Sequence, residues 1–230
     1  MNTVLITGIG RGIGKATADK FLSQGYFVIG TTFNSKPSPA AATTANLKTY
    51  SLDLTSPDSI KKCADDIKAS GMKIDILINN AGIMVDDDEN VLVPDKLRKT
   101  LEVNLIGTAD FTERMLPALN KAGHIVFISS AAGSLTDMDD VMKSHHPYFY
   151  PAYKISKTAL NMYARTLAVR LTHEKYAITV SCVHPGWVAT DMGGSEAPVS
   201  SEEAAGQIFD VSISQRETGQ FWYKGKKQPW

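Results

Sequence analysis

The chain of 230 residues lacks several features that would place it in a specialised class of protein. It has two cysteines, Cys63 and Cys182, and neither belongs to a CxxC pair, so we expect buried, reduced thiols rather than a disulfide framework or a zinc site. No apolar run approaches the roughly 20 residues that span a membrane. The formal net charge is zero, without the basic excess typical of nucleic-acid-binding proteins. Neither a membrane nor a nucleic acid is therefore expected as a partner.

The N-terminal end also leaves no room for a targeting segment, because MNTVLITG is typical of a strand that begins almost at residue 1. We therefore expect a cytoplasmic protein. With 43% apolar and 21% charged residues, the chain fits a globular protein with one sizeable core. No repeat or low-complexity linker divides it, so residues 1–230 are predicted to form one domain.

Short apolar runs alternate with longer amphipathic segments. The runs are TVLITG, FVIGTT, KTYSLDL, IDILINNAG, GHIVFISS and ITVSCVHPG, which suit strands buried on both faces. The predicted helices are Lys15–Gln24, Pro57–Ser70, Asp95–Asn120 and Ala152–Lys175. The first two end at glycines suited to helix C-caps. This alternation predicts an α/β protein, a three-layer doubly wound Rossmann fold with a parallel sheet of about seven strands.

A glycine-rich turn, TGIGRGIG (7–14), lies between the first strand and the first helix. Gly8 and Gly12 permit a tight turn and a close approach to the backbone, and Gly14 lets the helix pack against the strand. The free N–H groups at the helix start attract a pyrophosphate. The turn therefore predicts a dinucleotide-binding site.

The residues after the second strand bear on which dinucleotide binds. NAD sites usually place an acid there for the ribose 2′-hydroxyl, and this chain has none. Arg11, with Lys36 as a second cation, is able to pair with a 2′-phosphate, so we expect NADP. NAD stays an alternative, because Phe33 stands about where an arginine is usual and Arg11 has an ordinary alternative as a solvated loop charge.

Small and polar residues follow the later strands. Asp53 either accepts a hydrogen bond from an adenine amino group or caps the next helix, for which Ser56 is better placed. The NNAG stretch (79–82) offers small residues against which a ring or ribose fits, and Ser129 and Ser130 end another strand. Because strand carboxyl ends line the ligand crevice of such sheets, we expect these residues to face the ligand. The acidic run DDDEN (86–90) is instead typical of solvated surface.

The stretch YKISK places Tyr153 and Lys157 on the same face of a helix, one turn apart. A tyrosine has an ordinary pKa of about 10. A unit positive charge roughly 5 Å away, at an effective dielectric constant of about 20, is worth roughly 3 kcal/mol. We therefore expect Lys157 to lower the pKa of Tyr153, which would make the phenol a usable acid or base near neutral pH.

Together, TGIGRGIG, NNAG, Asn104, Ser130, YKISK and HPGWVATDMGG resemble the short-chain dehydrogenase/reductase family in its single-domain branch. The match covers nearly the whole chain in the family's order. YKISKTALNM, HPGWVATDMGG and the tail GQFWYKGKKQPW are similar to the carbonyl reductases grouped with sniffer and C-factor. The resemblance implies an NADP-dependent oxidoreductase that reduces a small carbonyl compound, or oxidises the secondary alcohol, by hydride transfer.

The resemblance also implies roles for single residues. Tyr153 would be the general acid/base, Lys157 would lower its pKa and bind the nicotinamide ribose, and Ser130 would hold the substrate oxygen. Asn104 would hold a water of a proton relay, and no metal is needed. The implied cofactor-binding residues are Gly8, Gly10, Arg11, Gly12, Ile13, Gly14, Thr32, Asp53, Leu54, Asn80, Ala81, Gly82, Tyr153, Lys157, Pro185, Gly186, Val188 and Thr190.

Ser130 and Tyr153 are further apart than in many relatives. The segment SLTDMDDVMKSHHPYFYP between them contains Tyr148, Phe149 and Tyr150, and we predict that it forms a wall or lid that favours an apolar or aromatic carbonyl compound. A solvent-facing loop is the alternative.

Two alternatives concern the whole protein. A nucleotide-sensing or signalling protein with the same fold and little turnover is the second hypothesis for function, although such a sensor need not retain all four proposed catalytic residues. The helix after Tyr153, with Asp95–Asn120, predicts a four-helix interface and hence a homo-oligomer, a dimer or tetramer. A monomer with those faces covered is the alternative.

Overall fold

The structure is a computed structural model that describes residues 1–33, 45–138, 149–214 and 217–230. Its strands are β1 (Thr3–Ile6), β2 (Phe27–Thr32), β3 (Leu47–Ser51), β4 (Ile74–Asn79), β5 (Leu119–Ile128), β6 (Thr179–Val183), β7 (Gln220–Tyr223) and β8 (Lys226–Lys227). They form one sheet in the order β3-β2-β1-β4-β5-β6-β7-β8. The first seven are parallel, as predicted, and the short β8 pairs antiparallel with β7.

Helices cover both faces of this sheet. They are α1 (Gly12–Ser23), α2 (Pro57–Ala69), α3 (Pro94–Leu101), α4 (Thr108–Met115), α5 (Pro151–His173) and α6 (Ser201–Ile213). One face of the sheet, with Leu5, Leu77 and Phe127, packs against α2, α4 and α5. The other, with Val4 and Ile78, packs against α1 and α6. Alternate strand residues thus feed two apolar cores, which confirms the three-layer architecture.

The predicted helix Asp95–Asn120 is wrong in its interior and at its end. A π-helical segment, Glu102–Gly107, separates α3 from α4, and β5 begins at Leu119. The Thr108 hydroxyl donates to the Val103 carbonyl oxygen (2.9 Å), which widens the turn locally. The prediction also missed α6. The glycines after α1 and α2, Gly25 and Gly71, do have the left-handed backbone of a helix C-cap.

The described helices include none that is long and apolar enough to cross a membrane. Cys63 and Cys182 are both buried free thiols, as expected. The cytoplasmic location and the single-domain organisation stay predictions.

Candidate active site

The carboxyl ends of the parallel strands meet at one edge of the sheet, and the predicted site residues lie on the loops that follow them. The strand order reverses at β1, so the loops after β1 and β4 form the switch point where such sheets bind ligands. The loop after β6 comes over the same edge: a Cβ added to Gly12 would lie 3.4 Å from the Thr190 methyl group. Arg11 pairs with Asp191 of that loop. The Asp191 contact had no signal in the sequence.

The glycine turn has the geometry that its residues predict. Gly8 and Gly12 have φ angles of 74° and 55°, in the left-handed region that favours glycine. A side chain on Gly14 would collide with the Gly8 carbonyl oxygen and with Asn80 Nδ2. The first turn of α1 has neither a side-chain cap nor an acidic residue. Its amide groups are therefore suited to an anion.

Thr7 and Asn80 brace this turn. The Thr7 hydroxyl accepts hydrogen bonds from the amides of Asn80 and Ala81, both at 3.0 Å. Asn80 Nδ2 donates in return to the carbonyl oxygens of Thr7 (2.9 Å) and Gly8 (3.2 Å). Thr7 was not among the predicted site residues, and its only signal in the sequence is its place directly before the first glycine.

The far end of the predicted cofactor site follows β2 and β3. Thr32 is buried at the end of β2, and Phe33 after it is exposed.

Asp53 accepts hydrogen bonds from the Thr55 amide and hydroxyl, so it does not cap α2. Ser56 is the cap, as expected, and its hydroxyl accepts from the Ser59 amide at 3.2 Å. Leu54, by contrast, is buried in the core beside α2. Lys36 lies outside the described residues.

Tyr153 and Lys157 lie on the first turns of α5, with the ammonium 5.5 Å from the phenol ring centroid. Lys157 is buried, and its Nζ donates to the Ile128 carbonyl oxygen at 2.8 Å. Burial lowers the pKa of Lys157 to about 8. Burial also raises the pKa of Tyr153 to about 12, and this effect outweighs the influence of the Ser130 hydroxyl, which lowers the pKa. The expected lowering of the Tyr153 pKa is therefore wrong for the protein alone, because the effect of burial outweighs any effect of the lysine charge.

Asn104 lies in the π-helical segment, as is common for residues at functional sites. Its side-chain amide makes two hydrogen bonds with the Ile83 backbone: Oδ1 accepts from the Ile83 amide, and Nδ2 donates to the Ile83 carbonyl oxygen, both at 2.8 Å. Its Nδ2 also donates to the Ser156 hydroxyl at 3.0 Å. A Cβ added to Gly82 would lie 3.2 Å from Asn104 Oδ1 and 3.6 Å from Lys157 Nζ. A side chain at position 82 would therefore crowd Asn104, and the glycine lets the loop after β4 lie against both polar groups.

The two serines after β5 have different surroundings. Ser130 Oγ accepts from the Ala132 amide at 3.1 Å, and its hydroxyl acts on the Tyr153 phenol, whose pKa it lowers. Ser129 is buried and donates to Asn161 Oδ1 of α5 at 2.6 Å. Ser130 is therefore the serine at the site, and Ser129 ties α5 to the sheet.

The loop after β6 holds four further predicted residues, Pro185, Gly186, Val188 and Thr190. Pro185 is buried beside Gly186, and Val188 pairs with Val199 in a parallel bridge. The Thr190 hydroxyl accepts from the Gly193 amide at 3.1 Å, which folds the loop back on itself. Before the loop, burial lowers the pKa of His184 to about 4, so this imidazole is neutral at neutral pH.

The sequence predicted that the acidic run 86–90 is solvated surface, and this prediction is wrong for Asp86. Asp86 is 1% exposed, and its Oδ2 accepts a hydrogen bond from the Ala152 amide at 2.6 Å. Among the described residues, no group of three or more His, Cys, Asp or Glu side chains is placed to hold a metal ion. The run instead supports the start of the helix that carries Tyr153.

The doubly wound sheet, the glycine turn at its switch point and the Tyr153–Lys157 pair at the same edge define the class of dinucleotide-dependent oxidoreductases. The model of the short chain dehydrogenase family matches residues 2–199. The chain belongs to this family.

Known relatives agree with this assignment. The chain is 32% identical over 218 residues to the short-chain dehydrogenase anuI of Penicillium roqueforti, which covers 89% of this chain and 86% of the relative. The carbonyl reductase Sniffer of D. melanogaster superposes with a TM-score of 0.87 at 28% identity, over 100% of both chains. The NADPH-bound carbonyl reductase from chicken fatty liver superposes with a TM-score of 0.88 at 28% identity, over 100% of this chain and 94% of that one.

Proposed function

We propose that this member of the family is an NADP-dependent carbonyl reductase that transfers a hydride to a carbonyl carbon, with Tyr153 as the general acid/base. The observation that carries the proposal is the convergence of Ser130, Tyr153, Lys157 and Asn104 beside the glycine turn, on one edge of the sheet. A protein that only binds a nucleotide would need the glycine turn alone. The four polar groups favour an enzyme over the nucleotide-sensing alternative.

The residues at the switch point fit a dinucleotide. The uncapped first turn of α1 and the positive φ angles of Gly8 and Gly12 leave backbone amides open to a pyrophosphate. Gly82 lies against Lys157, which would hold the ribose there, and Arg11 supplies a charge for a 2′-phosphate. When bound, NADPH supplies the hydride. The relative with bound NADPH is a carbonyl reductase of the same fold, which favours the same cofactor here.

The protein's own side chains then hold the substrate oxygen and donate a proton to it. Because the pKa of Tyr153 is raised, its phenol keeps its proton at neutral pH and acts as a donor in the reductive direction. Ser130, whose hydroxyl acts on the Tyr153 phenol, holds the substrate oxygen within reach of that proton. Lys157 holds the ribose and places a positive charge beside the phenol, which stabilises the phenolate left after transfer. Asn104 holds the water through which Lys157 exchanges protons.

The substrate is proposed to be an apolar or aromatic carbonyl compound. Large apolar side chains are exposed on the segments that follow Ser130 and Gly186: Leu135, Trp187 and Met192. Tyr150 contacts Tyr153 edge-on, with ring centroids 6.2 Å apart. Most of the predicted lid, including Tyr148, lies outside the described residues.

We also propose a homo-oligomer that pairs through α5. Ile155, Met162 and Val169 recur at a spacing that places them on one face of this helix, and they are 42%, 68% and 58% exposed. Exposed apolar stripes of this kind mark protein interfaces. Sedimentation should show a dimer or tetramer that Met162→Glu dissociates. A monomeric wild-type protein would refute the proposal.

A panel of aldehydes and ketones, assayed in parallel with NADPH and NADH, tests the function. We expect oxidation of NADPH with apolar or aromatic carbonyl compounds and slower oxidation of NADH. Turnover that prefers NADH would contradict the cofactor assignment. A protein that binds NADPH and reduces no member of a broad panel would instead favour the nucleotide-sensing alternative.

A further inference from the structure

Asp86 is a buried carboxylate to which the proposed chemistry gives no task. It lies on the loop after β4, four residues beyond Gly82, and is 1% exposed. Its Oδ2 accepts the hydrogen bond from the Ala152 amide, across 66 positions of sequence. Its Oδ1 is buried without a hydrogen-bond partner in the described part of the chain. A half-paired buried carboxylate is costly, so its benefit must lie in the single bond that it makes.

That bond goes to a helix that begins without a cap of its own. The residue before α5 is Tyr150, whose side chain makes no capping hydrogen bond and whose φ angle is 54°. A bulky residue in this left-handed region is strained, and such strain persists only where the surroundings hold it. The Tyr150 amide donates to the Glu89 carbonyl oxygen at 2.8 Å, and the Glu89 carboxylate pairs with Lys96. Residues 86–89 thus fix the start of α5 at two points, Tyr150 and Ala152.

The start of α5 is also where the proposed acid stands. Ala152 directly precedes Tyr153, and the Tyr150 ring lies edge-on to the Tyr153 ring. On the other side, Lys157 anchors the helix to β5 through the Ile128 carbonyl oxygen. The phenol therefore lies between two anchors: Lys157 fixes α5 after it, and Asp86 fixes the helix before it.

We propose that Asp86 is a positioning residue, which caps α5 from a distant loop and so holds the Tyr153 phenol at the distance from Ser130 that proton transfer requires. The inference rests on the proposed function, since it assumes that Tyr153 is the proton donor. Because this loop also carries Gly82, the cap further joins the cofactor side of the crevice to the acid.

Three variants test the proposal. Asp86→Ala removes the acceptor, whereas Asp86→Asn keeps an oxygen for the Ala152 amide. Asp75→Ala is the matched control, because Asp75 Oδ2 likewise accepts a backbone amide, that of Thr3 at 2.7 Å, but at the opposite edge of the sheet. Turnover is measured per bound NADPH, with the NADPH Kd, the KM for the carbonyl compound and the thermal midpoint, and hydrogen exchange is followed at the Ala152 and Tyr153 amides.

We expect Asp86→Ala to lower kcat by about ten- to a hundredfold, since small displacements of a reacting group cost that much, with the NADPH Kd within about twofold of wild type. Asp86→Asn should restore kcat to within about threefold, since it keeps the capping acceptor. Asp75→Ala should lower the thermal midpoint and leave kcat unchanged. Exchange at the Ala152 amide should be slow in the wild type and in Asp86→Asn, and fast in Asp86→Ala.

Equal kcat values for Asp86→Ala and wild type would overturn the inference while leaving the proposed function intact, and so would fast exchange at Ala152 in the wild type. A wild-type protein without turnover would instead sink the proposed function, and the exchange measurement would still decide whether Asp86 caps α5. If Asp86→Ala does not fold, Asp86→Leu provides the same loss of acceptor with a similar shape. A kcat for that variant equal to that of Asp86→Asn would then overturn the proposal.

Discussion

The glycine turn and the start of α5 serve one crevice but are built in opposite ways. The turn works because side chains are missing: a methyl group on Gly14 would strike the Gly8 carbonyl oxygen. The start of α5 works because buried polar side chains are present. Asp86 accepts from Ala152 and Asn104 donates to Ser156, across 66 and 52 positions of sequence. Adding atoms should therefore disrupt the glycine turn, whereas removing polar atoms should disrupt the start of α5.

Adding one methyl group at the glycine end should have the largest effect. Gly14→Ala would press the new Cβ against Gly8 and Asn80, so we expect the unfolding free energy to fall by about 3 kcal/mol. NADPH affinity should fall by more than about tenfold, because displaced amides no longer converge on the pyrophosphate. Urea unfolding and NADPH titration measure the two effects.

Gly206→Ala is the matched control. Gly206 lies inside α6, with nothing within 4 Å of the position of an added Cβ. Since alanine favours helix more than glycine, this variant should gain up to about 1 kcal/mol of stability. Equal losses in both variants would mean that the turn is no more crowded than an ordinary helix.

Removing the buried charge at the other end should change how stability depends on pH. The folded-state pKa of Lys157 is about 8, below its ordinary 10.5, so the unfolded chain binds more protons between these values. Lys157 therefore makes the unfolding free energy rise with pH from about 8 to about 10.5, by roughly 3 kcal/mol at most, and lowers it below that window.

Lys157→Met should flatten this rise. The check is the unfolding free energy of wild type and variant at several pH values across the window. Tyr153 acts in the opposite direction: above pH 10 the folded state retains the phenol proton, so its raised pKa makes the unfolding free energy fall with pH. The difference between the two curves separates the contribution of Lys157 from that of Tyr153. Parallel curves would show that the ammonium is solvated.

The smallest effect is expected at the exposed rim of the glycine turn. Arg11→Ala should raise the Kd for NADPH by about tenfold, since it removes the cation proposed for the 2′-phosphate, and should leave the Kd for NADH nearly unchanged. The Arg11–Asp191 pair is exposed, so stability should change by less than about 1 kcal/mol.

Lys15→Ala removes a neighbouring exposed cation that pairs with Asp19, and it should change neither Kd by more than about twofold. If Arg11→Ala weakens both dinucleotides alike, Arg11 does not read the 2′-phosphate and the NADP assignment loses its support within this chain.

The contrast between the two ends also explains what the sequence could predict. The alternation of strands and helices, the glycine turn and the Tyr153–Lys157 spacing depend on neighbours in sequence, and all are present in the fold. The two hydrogen bonds of Asn104 with the Ile83 backbone and the bond from Ala152 to Asp86 depend on distant segments that the fold brings together. Composition alone therefore made DDDEN look like solvated surface.

Burial was the other quantity that the sequence did not contain. The lysine charge alone predicted a lowered pKa for Tyr153, but desolvation dominates in the folded chain and raises it. The π-helical segment that contains Asn104 was likewise not predicted, because EVNLIG does not reveal the bonds between Asn104 and the distant Ile83 backbone.

Tyr153→Phe tests the central claim most directly, because it removes one hydroxyl from the proposed acid and leaves the ring in place. Turnover and the NADPH Kd are measured in the same preparation, with a carbonyl compound that the wild type reduces. We predict that kcat falls by about a thousandfold, while the Kd stays within about twofold. A variant that keeps more than a tenth of the wild-type kcat would contradict the account, because the proton would then come from another group.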